Sequence, residues 1–426
     1  MKQFLLAAHP TVGHTQALRA VGRELLRRGH RVRFAIPAMK PLPAFLPVPV
    51  PLRSAEAVTA GLQSDGFELV PLPLALSSGF AAWMTSRTRG YDELDWAMRL
   101  FAGEALPAAR ALLEALSSTP DSIVVADCFH FGAWMAAEVV GARFVPVFHS
   151  GLPFPAPGAP PFGSPLEGGD DAESLRRLER LVDGLDAKLA VSRRAVGLGP
   201  APRRLLERPY GSHLNVLTTF EAFELPRPDL ARSAAGPLLW AGPCIGPARA
   251  PPPFPWEQLE RSQRPVVYVS LGTVFNDQPG VYRVLLEGVQ LAGARAVVAA
   301  GASLEALRRH AGPEDILVRF APQVELLARV QAAVVHGGNN STNEALRAGV
   351  PILSVPFGGE QVANARRAVT LGVARALAVG SLSAQRVADA LRELLSDAAR
   401  ARSRRLASEV PLRDGAAVVA TALEGL

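Results

Sequence analysis

Short apolar runs alternate with amphipathic stretches along this chain, and that alternation leaves few folds open. Gln3–Ala8 is apolar and too short for a helix, so it is expected to be a buried parallel strand. Pro10–His14 is a turn. From Thr15 the spacing becomes helical: Leu18, Val21 and Leu25 share one face, and Arg19, Arg23 and Arg27 oppose it. Gly29 stops the helix and Arg31–Ile36 is the next strand. The cycle returns at Ile123–Asp127, Gly132–Val140 and Arg143–Phe148. In the second half, strands are expected at Val266–Leu271, Arg295–Ala299, Ile316–Phe320, Ala332–Val335 and Ile352–Val355, with helices at Ser341–Ala348 and Glu360–Thr370. Such βαβ units give parallel sheets with helices on both faces.

At 426 residues the chain favours two domains. The proline-rich run Gly236–Pro255 cannot sit inside a sheet or helix and is the expected linker. The expected division is an N-terminal Rossmann-like domain over 1–235, a linker over 236–256, a C-terminal Rossmann-like domain over 257–405, and a terminal helix within 406–426 that packs back on the first domain. The fold class is α/β, two doubly wound parallel sheets facing across a cleft. The irregular segments Pro37–Pro51 and Gly151–Gly169 each follow a predicted strand, where open α/β sheets place ligand-binding loops.

The net charge of +6 comes almost wholly from arginine, since Lys2, Lys40 and Lys188 are the only lysines. The arginines are scattered in pairs along helical stretches without a dense basic tract, which argues against a nucleic-acid surface. Cys128 and Cys244 are the only cysteines, so structural zinc is excluded and a disulfide framework is not expected. The apolar stretch before His9 is too short for a signal peptide, and no stretch reaches the ~18 apolar residues of a membrane span. A soluble, cytoplasmic protein is expected.

The densest signal is Phe320-Ala-Pro-Gln323, then His336-Gly-Gly-Asn-Asn-Ser-Thr-Asn-Glu344, then Glu360-Gln361 with Asn364-Ala365. Gly337-Gly338 gives a tight turn after a strand, and a helix opens near Asn340-Ser341. Its first N–H groups have no internal partners, and the helix dipole adds positive charge there, so a diphosphate fits. Glu344, one turn in, suits a ribose's hydroxyls better than a phosphate. The alternative is plain helix capping, with Asn340 or Ser341 as caps and Glu344 as a capping-box acid.

The stretch from Phe320 to Ala365 resembles the donor-binding signature of family-1 glycosyltransferases, the UDP-sugar-dependent enzymes of the GT-B fold. It is most similar to plant natural-product and bacterial macrolide enzymes. The resemblance implies that Phe320 stacks on the uracil, in place of the plant tryptophan, with Gln323 beside the base. His336, Gly338, Asn340 and Ser341 would hold the diphosphate with Thr273, Glu344 would take the ribose, and Glu360 and Gln361 would read the sugar. Two departures stand out: Asn339 replaces a tryptophan and Glu360 a common aspartate.

Transfer to a hydroxyl needs a base, and histidine titrates in the right range. His-Pro-Thr-Val-Gly-His14 resembles the family's first loop, in which the second histidine is the base. Asp127, ending the strand Ile-Val-Val-Ala-Asp, matches its orienting aspartate; a helix cap is the plainer alternative for it. His149 stands where related enzymes carry a small hydroxyl residue against the donor sugar. Phe80, Trp83, Met84, Phe129 and His149 are candidate acceptor contacts. No clustered metal ligands appear in the sequence, so no cofactor or metal is expected beyond the UDP-sugar co-substrate, and inversion at the anomeric carbon is implied. The expected partners are that donor and a hydrophobic acceptor such as a macrolide, polyketide or phenol. The rival readings are another UDP-sugar enzyme, an epimerase or lipid glycosyltransferase, or a silent nucleotide-sugar-binding protein.

Overall fold

A computed structural model of the chain describes residues 1–37, 50–73, 84, 88, 91–149, 152–154, 156, 161–167, 171–202, 204–246, 253–261, 263–272, 277–411 and 413–426. The first parallel sheet has the order β3-β2-β1-β4-β5-β6-β7. Its strands are β1 (Gln3–Ala7), β2 (Arg31–Pro37), β3 (Glu68–Leu72), β4 (Ile123–Asp127), β5 (Phe144–Phe148), β6 (Asn215–Leu217) and β7 (Leu238–Trp240). β1 lies between β2 and β4, with Phe4 beside Ile123 and Ala7 beside Ala126. Strands 1 to 3 extend the sheet one way and strands 4 to 7 the other. The crevice at such a switch point, above the strands' carboxyl ends, is where doubly wound sheets bind ligands.

The second sheet repeats the plan in the order β10-β9-β8-β11-β12-β13. Here β8 is Val266–Ser270, β9 Arg295–Ala299, β10 Ile316–Val318, β11 Ala332–Val335, β12 Ile352–Ser354 and β13 Ala374–Ala376. Its switch point lies between β8 and β11, where Ser270 pairs with Val335. The central strands β4, β5, β8 and β11 are buried along their whole length, as helices on both faces require.

Helix α1 (Val12–Arg27) buries Leu18, Val21 and Leu25 as its spacing predicts, and starts before the expected Thr15. Around the first sheet follow α2 (Val50–Ser64), α3 (Tyr91–Ser117), α4 (Phe131–Val140) and α5 (Asp171–Ala195). Around the second lie α6 (Pro279–Leu291), α7 (Asn339–Arg347), α8 (Gly359–Thr370), α9 (Ala384–Leu394) and α10 (Asp397–Ser408).

Two boundaries differ from expectation. β7 falls inside the segment assigned to the linker, so the first domain runs past residue 235. The strand is tolerated because it is the sheet's edge and its prolines, Pro237 and Pro243, flank it rather than interrupt it. The second domain likewise runs to the end of α10 at Ser408, past the expected boundary at 405. The chain then returns to the first domain as α11 (Gly415–Glu424), whose Ala416, Val419, Ala420 and Leu423 join Leu18, Val21 and Leu25 in one core cluster. Arg28 donates to Glu424 at 2.7 Å, and Asp414 caps α11 through Ala416 N at 2.7 Å.

The domains meet through a buried polar seam. Arg367 of α8 donates to Glu224 and, at 3.3 Å, to Thr219. Asn343 accepts from Thr219 at 3.1 Å, and Asn339 donates to Thr218 at 3.3 Å.

Candidate active site

At the first switch point, β1 delivers the loop carrying His9 and the opening turn of α1 carrying His14, while β4 ends on Asp127. His14 Nδ1 bonds Asp127 Oδ2, and Phe129 N donates to Asp127 Oδ1 at 2.8 Å. His149, just past β5, puts Nε2 3.0 Å from the same Oδ1. Asp127 is fully buried. Burial alone would raise its pKa, but the two imidazoles outweigh that and hold it well below the usual carboxylate range. His14 is pulled below 6.5, chiefly by removal from water, against the pull of Asp127. A neutral imidazole held in one tautomer by a buried carboxylate, with its other nitrogen free to accept a proton, is the arrangement of a general base.

Around this pair stand further buried groups. His9 Nδ1 is 3.2 Å from Glu104 Oε2 and its Nε2 3.2 Å from the Phe129 carbonyl. Burial pulls its pKa down, yet Glu104 and Asp127 raise it overall. His130 caps α4 through Ala133 N at 3.1 Å, and burial lowers it to about 4. Phe129, a candidate acceptor contact, is buried and stacked on Phe101 at 5.3 Å, so it packs behind His14. Met84 is half-buried, while Phe80 and Trp83 lie outside the described residues.

At the second switch point the chain makes the turn its glycines predict. Gly337 has φ +86°, which glycine alone adopts without strain, and α7 opens directly after Gly338. A Cβ on Gly272 would come within 2.6 Å of the His336 ring, and one on Gly338 would strike the same ring. The two glycines therefore let His336 lie flat against the turn. Burial lowers its pKa to about 4, so at neutral pH it is an uncharged donor. No side chain caps α7, whose cap residue is Gly338, and Glu344 does not act as a capping acid. Thr273 lies outside the described residues.

Glu344 is buried and receives two amides: Gln323 Nε2 at 2.6 Å on one oxygen and Gln16 Nε2 at 3.2 Å on the other. Burial, against those hydrogen bonds, raises its pKa to about 7. Gln323 also donates to Ser341 Oγ at 3.2 Å and accepts from the Tyr268 hydroxyl at 3.0 Å. Asn340 donates to the Gln16 oxygen at 3.4 Å. Gln16 belongs to the first domain and lies two residues after His14. Its bonds bring the opening turns of α1 and α7 together across the cleft, and its spacing carried no signal of this. Phe320 stands 62 % exposed, an open aromatic face. Asn339 turns into the interdomain seam through Thr218 and Asn343.

Glu360 sits half-exposed in the first turn of α8, and burial raises its pKa with His149 pulling the other way. Gln361 is buried, with its side-chain oxygen accepting from Phe357 N at 2.9 Å, which leaves its amide NH2 as the group available to a ligand.

Two doubly wound sheets meeting switch point to switch point define the GT-B class. Residues 237–407 match the family model described as "UDP-glucoronosyl and UDP-glucosyl transferase". The chain is 29 % identical to demethyllactenocin mycarosyltransferase of Streptomyces fradiae, over 98 % of this chain and 85 % of that protein. It is 27 % identical to zeaxanthin glucosyltransferase of Pseudescherichia vulneris, over 93 % and 91 %. Among solved structures, the kitacinnamycin glycosyltransferase superposes with a TM-score of 0.73 at 22 % identity, over 100 % of this chain and 98 % of that one. The second domain is thus similar to that family, and the whole chain has the fold of GT-B glycosyltransferases. Among the described residues no helix is long and apolar enough to cross a membrane.

Proposed function

We propose that this enzyme moves a hexose, glucose first among candidates, from a UDP-sugar to a hydroxyl of a hydrophobic natural product such as a macrolide, polyketide or phenol. His14 takes the acceptor's proton as its oxygen attacks the anomeric carbon, in an in-line displacement that inverts configuration. Asp127 fixes the imidazole tautomer and steadies the imidazolium as it forms. The departing diphosphate is met by the amides opening α7, by Asn340 and Ser341, and by the neutral His336, so the step proceeds without a metal ion. Glu344 holds the ribose, which favours UDP over dTDP, and Glu360 and Gln361 read the sugar. Work in the cytoplasm fits this chemistry.

The observation that supports this reading is the Gln16 bridge to Glu344 and Asn340, because it brings the opening turn of α1, which carries His14, against the opening turn of α7. The relatives' names include a mycarosyl and a glucosyl donor, which supports a sugar-nucleotide substrate and leaves the hexose to experiment.

The test is a thermal-shift panel with UDP, dTDP and GDP on the wild type and on His14→Ala, paired with transfer from UDP-glucose to a panel of aglycones. UDP should stabilise both proteins, and transfer should vanish in the variant. Full activity of His14→Ala would remove the base assignment, and equal shifts with all three nucleotides would remove the UDP assignment.

A further inference from the structure

The sequence offered no metal-ligand spacing, yet the fold assembles one. One ring nitrogen each of His14 and His149 and an Asp127 carboxylate oxygen all lie within 4.8 Å of one another, although they come from the first turn of α1, the end of β4 and the residue after β5. α1 follows β1, and β1, β4 and β5 are adjacent in the sheet, so the grouping is built by the switch point itself. His149 is nine-tenths buried, and its Nε2 finds no hydrogen bond despite lying 3.0 Å from Asp127 Oδ1. That oxygen is already engaged by Phe129 N, and Oδ2 faces His14. The neighbouring imidazoles do not compete for a role: both His9 nitrogens lie against Glu104 and the Phe129 carbonyl, and His130 Nδ1 accepts from Ala133 N.

We propose that His14, Asp127 and His149 form a binding site for a borderline transition-metal ion, Zn²⁺ or Co²⁺, and that occupancy silences the base. Two imidazoles and one carboxylate suit such ions, and they do not suit Mg²⁺ or Ca²⁺, which take mostly oxygen ligands. Bonds of about 2.0–2.2 Å require only modest rotation of side chains already this close. The half-exposed His14 leaves the remaining coordination positions open to the cleft.

The silencing follows from proton bookkeeping. In the metal-free enzyme the Nδ1–H of His14 points at Asp127, and Nε2 carries the lone pair that accepts the substrate proton. When Nδ1 ligates the metal, its proton moves to Nε2, no net proton is lost, and Nε2 becomes a donor. The same residues would then hold an ion and no longer serve as a base. This consequence rests on the base assignment made above, whereas the site itself does not.

The test is Co²⁺ titration of the intact, metal-free enzyme, read by visible absorption. One equivalent should give the intense bands of a four- or five-coordinate ion. Those bands should be absent in His149→Gln and Asp127→Asn, and retained in His213→Ala, an exposed histidine at the far end of β5. Circular dichroism and a melting curve check that the variants fold, with His149→Asn as the second substitution. Equimolar Zn²⁺ should lower transfer more than tenfold, EDTA should restore it, and Mg²⁺ should do nothing. Bands that persist in His149→Gln, or no saturable binding, overturn the site. Bands lost in His149→Gln while Zn²⁺ leaves transfer untouched would keep the site and overturn both the silencing and the role of His14 as base.

Discussion

Asp127→Asn changes one buried oxygen to an NH2 group and nothing in side-chain volume. In the wild type that carboxylate accepts from Phe129 N at 2.8 Å and faces His14 Nδ1. The Phe129 bond fixes the remaining carbonyl oxygen of the new amide, so its NH2 is turned toward His14. An NH2 can only donate, and the imidazole answers by presenting the Nδ1 lone pair and keeping its proton on Nε2. The catalytic nitrogen then has nothing with which to take a proton. General base catalysis contributes about 10²–10⁴ in rate, so kcat should fall by that factor, about 3–5 kcal/mol in the barrier. Donor KM and the UDP-induced thermal shift should be unchanged, because α7 is untouched. In the wild type the acid limb of kcat/KM should lie below pH 6.5, since burial lowers the His14 pKa and the neutral form is the active one. The assay is UDP release or product mass with the best aglycone, run across pH. If Asp127→Asn keeps kcat within threefold of wild type, the tautomer argument is wrong.

Glu344 holds a folded-state pKa of about 7 against an ordinary 4.5, so between those values the native protein keeps a proton that the unfolded chain loses. Its contribution is therefore intact below pH 4.5 and falls away as pH climbs to 7, by about 3 kcal/mol at most. Glu344→Gln removes that dependence, and its melting temperature should gain on wild type between pH 5 and pH 8 while UDP binding weakens about tenfold; a constant difference across pH would refute the assignment. Gly338→Ala keeps an allowed backbone but drives its methyl into His336. Its UDP shift should shrink or vanish with the fold retained, as seen by calorimetry and circular dichroism.

Much of this was legible from residue order. The apolar runs at Gln3–Ala8 and Ile123–Asp127 gave the strands, and the places of His14 just after β1 and of Asp127 at the end of β4 pointed to the switch-point crevice, because parallel sheets put their loops at one edge. The short strands β6 and β7 were not legible, since three residues carry no period and prolines flank one of them. Nor were Gln16 and the buried Glu104. A glutamine on a helix face resembles any solvated residue until another domain arrives opposite it, and a lone glutamate in an amphipathic helix looks exposed until His9 is seen against it. The metal-ligand grouping was hidden for the same reason: its members are far apart in sequence and meet only when three neighbouring strands end together.

The return of α11 to the first domain has a bearing on how the protein is made. Four of the residues that close the core beside α1 are encoded after the entire second domain. While the ribosome is still building that domain, the side of α1 that α11 covers in the finished fold faces water, although the sheet already packs against the rest of its apolar stripe. The half that emerges first is thus completed last, and a nascent chain stalled before residue 415 would present a greasy flank for chaperones to shield.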